Sequence, residues 1–575
     1  MASYLSFRWN HARRQAAAGA KSGRVWLANY VNRHVYGAWR KLGLMRWQFA
    51  AWMLIVLISV VGMQRGFTRL NQQWLIAKPA SGGVYHEGII GRVRLVNPLY
   101  IENSATSDVA ELVYSKLIRT SDGQSIQPDL ATDWTVSADK KTYTLKLRDT
   151  AYWHDGVKLS AQDVAFTFKL IQNPDTRSTL AGNWDKVVIT APDDRTVVFT
   201  LPTSYSGFWA QLAQVGILPQ HALQDVQPNL LRLDEFNQRP IGSGPFILDN
   251  LDVNSDKITL RRYNEYYGGA PKLDEVQLIQ YDASPDLLDA YAKRRLDGMA
   301  RVEPSEIEQV KSFEGLKLER YRLPAYVGVY FNMSQPQLAA DKNIRIALAE
   351  AIDRKALVHD VLKDEANVAQ YPIPAGYLGF NPAARRVQYD PTAAKSVLDG
   401  KFAKPLRLVT SNSGEYPEVA KRVSEAWRAA GVPVEVVSVD SYSLQQNYIR
   451  PREYDVLLYG QDIGADSDMY GFWHSSQAAD PGLNISVYKS STADQLLEQA
   501  RIGRDANFRA TKYAEFVKVW SEDVPAVLLY SPTYLYAHTV ELTGLSAKGL
   551  VTPSDRFRNI QDWAVHETVV PKKQS

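Results

Sequence analysis

The sequence predicts a mixed α/β protein with more than one lobe, set behind a single membrane-spanning helix, and three observations carry that prediction. The chain has 575 residues, too many for one compact core. A strand, helix and strand follow one another over residues 406–437, an order that implies parallel pairing. An uncharged, largely apolar run covers residues 47–64, roughly the 18 residues a bilayer demands.

Residues 1–46 form a basic leader. It holds Arg8, Arg13, Arg14, Lys21, Arg24, Arg33, Arg40, Lys41 and Arg46 and no Asp or Glu, so of the formal net charge of +4 the remainder carries −5. A nucleic-acid binder places its basic excess on the folded domain; here it lies beside an apolar run, and nucleic acid is not an expected partner. By the positive-inside rule the leader stays in the cytoplasm, and Trp47 and Trp52 sit where an interfacial aromatic belt belongs. A cleaved signal peptide is the competing reading, but Val61, Gly62 and Met63 offer no small-x-small cleavage site. The expected anchor is therefore uncleaved, with everything after it extracellular or periplasmic. The absence of cysteine excludes disulfides, thiolate metal sites and a lipidated N-terminal Cys.

Residues 65–84 read as a spacer ending in Lys78, Pro79, Ala80, Ser81, Gly82 and Gly83. Trp134 and Val136 alternate with polar neighbours, as do Tyr143, Leu145 and Leu147, which predicts a hairpin around a polar turn. A helix over Ile344–Ile352 aligns Ile344, Leu348 and Ile352 on one face behind Asp341 as N-cap; Arg345, Arg354 and Lys355 are expected on its solvated side. Leu406–Thr410 reads as a strand, Glu418–Ala430 as a helix stopped by Gly431, and Val432–Val437 as the returning strand.

Several segments occur in an order that resembles a known family. Asn97, Pro98 and Leu99 precede Leu112, Val113, Tyr114, Ser115, Lys116 and Leu117, with Lys116 where glycine is usual. Pro128, Asp129, Leu130 and Ala131 precede Trp134, and Trp153, His154, Asp155 and Gly156 precede Ser160–Val164. Pro240–Phe246 follow, and then Phe331 and Asn332 with Ala347–Lys355. Together these resemble the extracellular solute-binding proteins of family 5, the dipeptide- and oligopeptide-binding proteins of ABC importers. The resemblance implies a two-lobed periplasmic-binding-protein-like α/β fold of the class II, cluster C type. Lobe I would take residues 86–325 and 530–570 with an extra subdomain, and lobe II residues 326–529. Two crossover strands near Leu323–Phe331 and Ala526–Tyr530 would join them. It also implies a non-enzymatic role: capture of a peptide and its delivery to ABC permease subunits with a cytoplasmic ATPase. Other cargoes occur in the family, among them oligosaccharides, nickel complexes, haem and opine-like compounds, and a sensor signalling through the leader is an alternative of a different class.

Peptide capture requires a carboxylate for the ligand ammonium and main-chain groups for its extended backbone. Asp462 follows the apolar run Val456–Leu458, at a predicted strand end where open α/β sheets place ligands. In peptide-binding relatives an Asp at the matching place holds the ammonium. Tyr459, Gln461, Gly464 and Asp466 of the same segment join it as candidates, with Tyr330 and Asn332 on the crossover. Asp466 or Asp468 is the alternative anchor, and loop-capping or solvated acids the plainer one. Tyr330, Phe331 and Asn332 also suit a core strand. His154 reads as part of a structural turn. Gly242 and Gly244 lack the spacing and Lys of a phosphate loop and suit a tight turn. No catalytic serine elbow or zinc-protease motif appears, and no cofactor or metal is expected.

Overall fold

The computed structural model describes residues 46–571, apart from 122–124, 182–183, 206 and 504, together with residues 29, 30 and 33. The leader expected over residues 1–46 lies outside the described residues but for these few. The chain divides into two compact units, Met1–Lys78 with Thr568–Ser575, and Pro79–Glu567.

In the first unit a helix runs from Arg46 to Trp74 and is followed by the strand Leu75–Ala80. Its apolar side chains from Trp52 to Leu57 are more than half exposed. Among the described residues no helix is long and apolar enough to cross a membrane.

In the second unit, among the described residues, twelve strands share one sheet. In chain order they are β1 (Val84–Ile90), β2 (Phe246–Ile247), β3 (Lys257–Arg262), β4 (Glu275–Tyr281), β5 (Gly298–Met299), β6 (Leu316–Arg322), β7 (Ala325–Phe331), β8 (Ala366–Val368), β9 (Leu406–Ser411), β10 (Val434–Val439), β11 (Val456–Asp462) and β12 (Ala526–Thr539). Their lateral order is β10-β9-β11-β7-β12-β5-β1-β4-β3-β2, with β6 and β8 also paired to β12. β9 pairs in parallel with both β10 and β11, and β1 in parallel with β4 and β5. The strand–helix–strand reading of residues 406–437 thus holds, with the helix at Tyr416–Ala429. That helix starts ahead of the expected Glu418 because Pro417 fits the first turn, and Gly431 follows its end at φ +90°. Val419, Ala420, Val423 and Trp427 line its buried face.

β6 and β7 run end to end, both antiparallel to β12: Leu316 to Arg322 lie opposite Thr539 to Thr533, and Val327 to Tyr330 opposite Tyr530 to Ala526. The apolar cores divide at this crossover. Val327, Phe331, Leu406, Leu408, Val423 and Tyr530 belong to one group, whereas Tyr85, Leu99, Val276, Tyr534 and Tyr536 belong to another. The two groups meet where residues 322–327 pass 530–533. β7 is buried along its whole length, as a strand with cores on both faces must be. The expected hairpin is present with Trp134 opposite Leu145 and Val136 opposite Tyr143, in a separate four-stranded antiparallel sheet backed by the helix Ala161–Gln172.

Asp341 caps the helix Lys342–Glu350, its side chain accepting from the Asn343 N–H. The expectation of a solvated basic face fails at Arg345, which is 4 % exposed. Its guanidinium donates to the carbonyls of Asp523 and Val524, at the end of the helix Ala506–Asp523, and to those of Leu338 and Ala339. Arg354 is also drawn inward, onto the carbonyls of Ala369, Leu528 and Val387. Backbone carbonyls left over at helix and strand ends need donors, and a long guanidinium reaches several at once. Lys355 alone of the three is exposed.

Candidate functional site at the strand crossover

β11 carries its last residue to the crossover. Antiparallel pairing with β7 puts Asp462 opposite Ala325, and the next residue, Ile463, donates its N–H to the Pro324 carbonyl at 2.8 Å. Gly464 then turns the chain at φ +71°, a left-handed conformation natural to glycine, and its carbonyl accepts from the Tyr377 hydroxyl at 3.2 Å. Alternation along the strand puts Val456, Leu458 and Asp462 on one face and Leu457, Tyr459 and Gln461 on the other. Tyr416 leans over Gly460: a Cβ there would lie 2.6 Å from the Tyr416 hydroxyl, so any side chain would push that ring aside.

The Asp462 carboxylate reaches solvent but is walled by protein, so loss of hydration raises its pKa above the ordinary carboxylate value. Among the described residues no cation pairs with it. The Tyr459 hydroxyl is also pushed up, by burial and then by the Asp462 charge.

The other acids of this segment are committed. Asp466 pairs with Arg509 at 3.2 Å and Asp468 with Arg501 at 3.2 Å. The Arg501 guanidinium lies 4.3 Å from the ring centre of Tyr205 and 4.4 Å from that of Tyr470. A second long-range bridge runs from Arg301, 3.0 Å from Glu303, to Glu415 at 3.5 Å, and the Tyr530 hydroxyl on the crossover donates to Glu415 at 3.2 Å.

Three residues proposed from sequence for ligand contact are occupied in packing. Gln461 is buried and donates to the Leu483 carbonyl. Tyr330 is fully buried and stacks on Trp473 at 6.1 Å. Asn332 donates to the carbonyls of Arg452 and Tyr454 and accepts from Ser334. Tyr330 lies opposite Leu457, five residues from Asp462 along the ladder, or about 16 Å at the strand rise. The structure thus gathers Tyr459, Asp462 and Gly464 at the crossover and leaves Tyr330 and Asn332 at the far end of β7.

A cavity of about 840 Å³ opens beside the crossover. Its walls come from β6 and the start of β7, from residues 367–377 and from residues 547–550, with Tyr321, Tyr326, Tyr371 and Tyr377 among them. Tyr377 ties this wall to Gly464. Asp462 is not part of the wall. Sequence reasoning passed over residues 367–377 and 547–550. The one available signal was the run Tyr371, Pro372, Ile373, Pro374, Ala375, Gly376, Tyr377, an irregular aromatic loop of the kind that carries binding.

His154 belongs to the turn. Its Nδ1 accepts from the Gly242 N–H at 3.2 Å and its Nε2 faces the Gly244 carbonyl at 3.1 Å. A Cβ on Gly242 would meet the Val113 carbonyl oxygen at 1.9 Å, so the glycines serve close backbone packing. Among the described residues no group of three or more His, Asp or Glu side chains is placed to hold a metal ion.

The comparisons agree with this architecture. Residues 125–482 match the model of the bacterial extracellular solute-binding proteins, family 5 Middle. The oligopeptide-binding protein AppA of Bacillus subtilis is 28 % identical over 513 residues, covering 84 % of this chain and 92 % of AppA. The structure of AppA with a nonapeptide superposes with a TM-score of 0.75 at 26 % identity, covering 85 % of this chain and 99 % of that one. NikZ of Campylobacter jejuni, solved with Ni(L-His), shares the fold with a TM-score of 0.73 at 24 % identity, covering 84 % of this chain and 99 % of that one. With the matched segment spanning more than half its length, the chain belongs to the bacterial extracellular solute-binding proteins of family 5.

Proposed function

We propose that this protein captures peptides outside the cell for an ABC importer, with Asp462 receiving the ligand's α-ammonium group. The observation that carries the reading is Asp462 itself: the one acid of residues 462–468 without a cation, at a strand end by the crossover of two lobes. With no cation beside it and its hydration reduced, its ionised form is disfavoured in the empty protein, and an incoming ammonium supplies the missing partner. Tyr459 and the main chain around Gly464 flank it as further contacts. The similarity to AppA, whose structure holds a nonapeptide, supports peptide as the cargo.

The reading takes residues 86–325 and 530–570 as lobe I and 326–529 as lobe II, in keeping with the division of the cores. It takes residues 47–64 as a single-pass anchor, with the basic leader cytoplasmic and the lobes extracellular or periplasmic. The exposed apolar run from Trp52 to Val61 supports that placement, because so many adjacent apolar side chains are costly in water. The permease subunits are the expected protein partners.

Isothermal titration of the full chain in detergent with a peptide it retains tests the anchor residue. Asp462→Asn should weaken binding roughly 30-fold, about 2 kcal/mol, the scale of a hydrogen bond to a charged group. Partial loss of hydration raises the Asp462 pKa, so its ionised form costs the empty fold some stability above that pKa; the Asn variant should melt no lower than wild type at pH 7. Unchanged affinity would move the ammonium site elsewhere.

A further inference from the structure

We infer that the cavity beside the crossover receives carboxylate groups, so that the protein selects acidic solutes over neutral and basic ones. This rests on the reading that the chain captures a small solute and deepens it by naming the ligand's charge.

Four basic side chains, Arg320, Arg322, Arg386 and Lys548, line the cavity, and none of the side chains lining it is acidic. Arg320 is occupied, in a two-pronged contact with Glu365. Arg322, Arg386 and Lys548 have no acidic partner among the described residues. They come from three segments distant in sequence, one on the crossover, one in the second lobe and one in the returning chain of the first, and only the fold brings them to one cavity. Composition does not account for the bias, because outside the leader the chain carries a net −5.

The walls suit an organic acid rather than a bare ion. Tyr321, Tyr371 and Tyr377 give the cavity flat apolar faces, and at about 840 Å³ it has the size of a small-ligand pocket. Guanidinium groups match the planar fork of a carboxylate, and Lys548 adds a mobile point charge. Asp462 lies outside this wall, so the negative and positive partners for a ligand occupy different places at the crossover. A peptide with a free amino terminus and acidic residues or a carboxyl terminus beyond it would satisfy both.

The test is competitive binding to the full chain in detergent, read by native mass spectrometry. Three tetrapeptide pools of equal size serve as probes, rich in Asp and Glu, in Ala and Ser, or in Lys, together with citrate as a non-peptide polycarboxylate. Acidic peptides should bind about tenfold more tightly than neutral ones, and the preference should shrink in about 0.5 M salt, because exposed charges are screened. In the triple variant Arg322→Gln, Arg386→Gln and Lys548→Gln the ratio of acidic to neutral binding should fall close to one, with an unchanged melting temperature showing that the fold survives. Citrate bound in place of every peptide would uphold the charge preference and overturn the peptide reading. Neutral or basic peptides bound as tightly as acidic ones, or a ratio unmoved by the triple variant, would overturn the inference.

Discussion

His154 shows how packing sets a titration. Burial lowers its pKa to about 4, more than the Gly244 carbonyl and the charges of Asp155 and Asp249 restore, and Arg261 pushes in the same direction as burial. The ring is therefore neutral at physiological pH, its Nδ1 free to accept from Gly242 while Nε2–H donates to the Gly244 carbonyl. In the unfolded chain a histidine takes up its proton near pH 6.5, so between that value and 4 the unfolded state binds more protons and stability falls as pH falls. Urea unfolding of wild type and His154→Gln at a series of pH values should show the wild-type advantage greatest near pH 7 and smaller by about 3 kcal/mol at pH 4. A difference that does not vary with pH would mean that the ring titrates in the fold as it does in the unfolded chain. The same scale explains what sequence could not separate at residues 462–468. Asp462, Asp466 and Asp468 are alike in composition and neighbourhood; Arg501 and Arg509, more than thirty residues onward, satisfy two of them and leave the third.

At the scale of elements, patterning made much of the fold legible. Alternation gave the hairpin of Trp134 and Leu145, and the strand–helix–strand of residues 406–437 followed from apolar runs and Gly431. Patterning failed where a long polar side chain turns inward. Arg345 stands beside Ile344 on a helix, and nothing local reveals that the carbonyls of Asp523 and Val524, nearly 180 residues away, end beside it. Removing that guanidinium leaves the end of the helix Ala506–Asp523 without its donor. Arg345→Ala should destabilise the protein by about 3 kcal/mol, whereas Lys355→Ala, at an exposed position, should change stability by less than about 0.5 kcal/mol. Chemical denaturation of both variants makes the comparison; equal effects would return Arg345 to the solvated face. The cavity was illegible for a related reason, since its walls come from stretches near residues 322, 371 and 548 that no local pattern connects.

At the scale of the molecule, a pair of antiparallel crossover strands joins the two main apolar cores, and Arg301–Glu415 and Arg501–Tyr205 link segments far apart in sequence. On the proposed two-lobed reading, half-buried charge and ring contacts of this kind, each worth little alone, can be made and broken as the lobes move. A hinged trap needs that balance: a rigid crossover, weak rim contacts and a ligand whose burial tips the equilibrium. The leading claim, that the ligand is a peptide, is tested most directly by native mass spectrometry of the full chain as purified from cells and then offered a mixed peptide library. The account predicts heterogeneous adducts of a few hundred daltons that fragment into peptides and exchange with the library. A protein that ignores every peptide while retaining a sugar or a metal complex would contradict it.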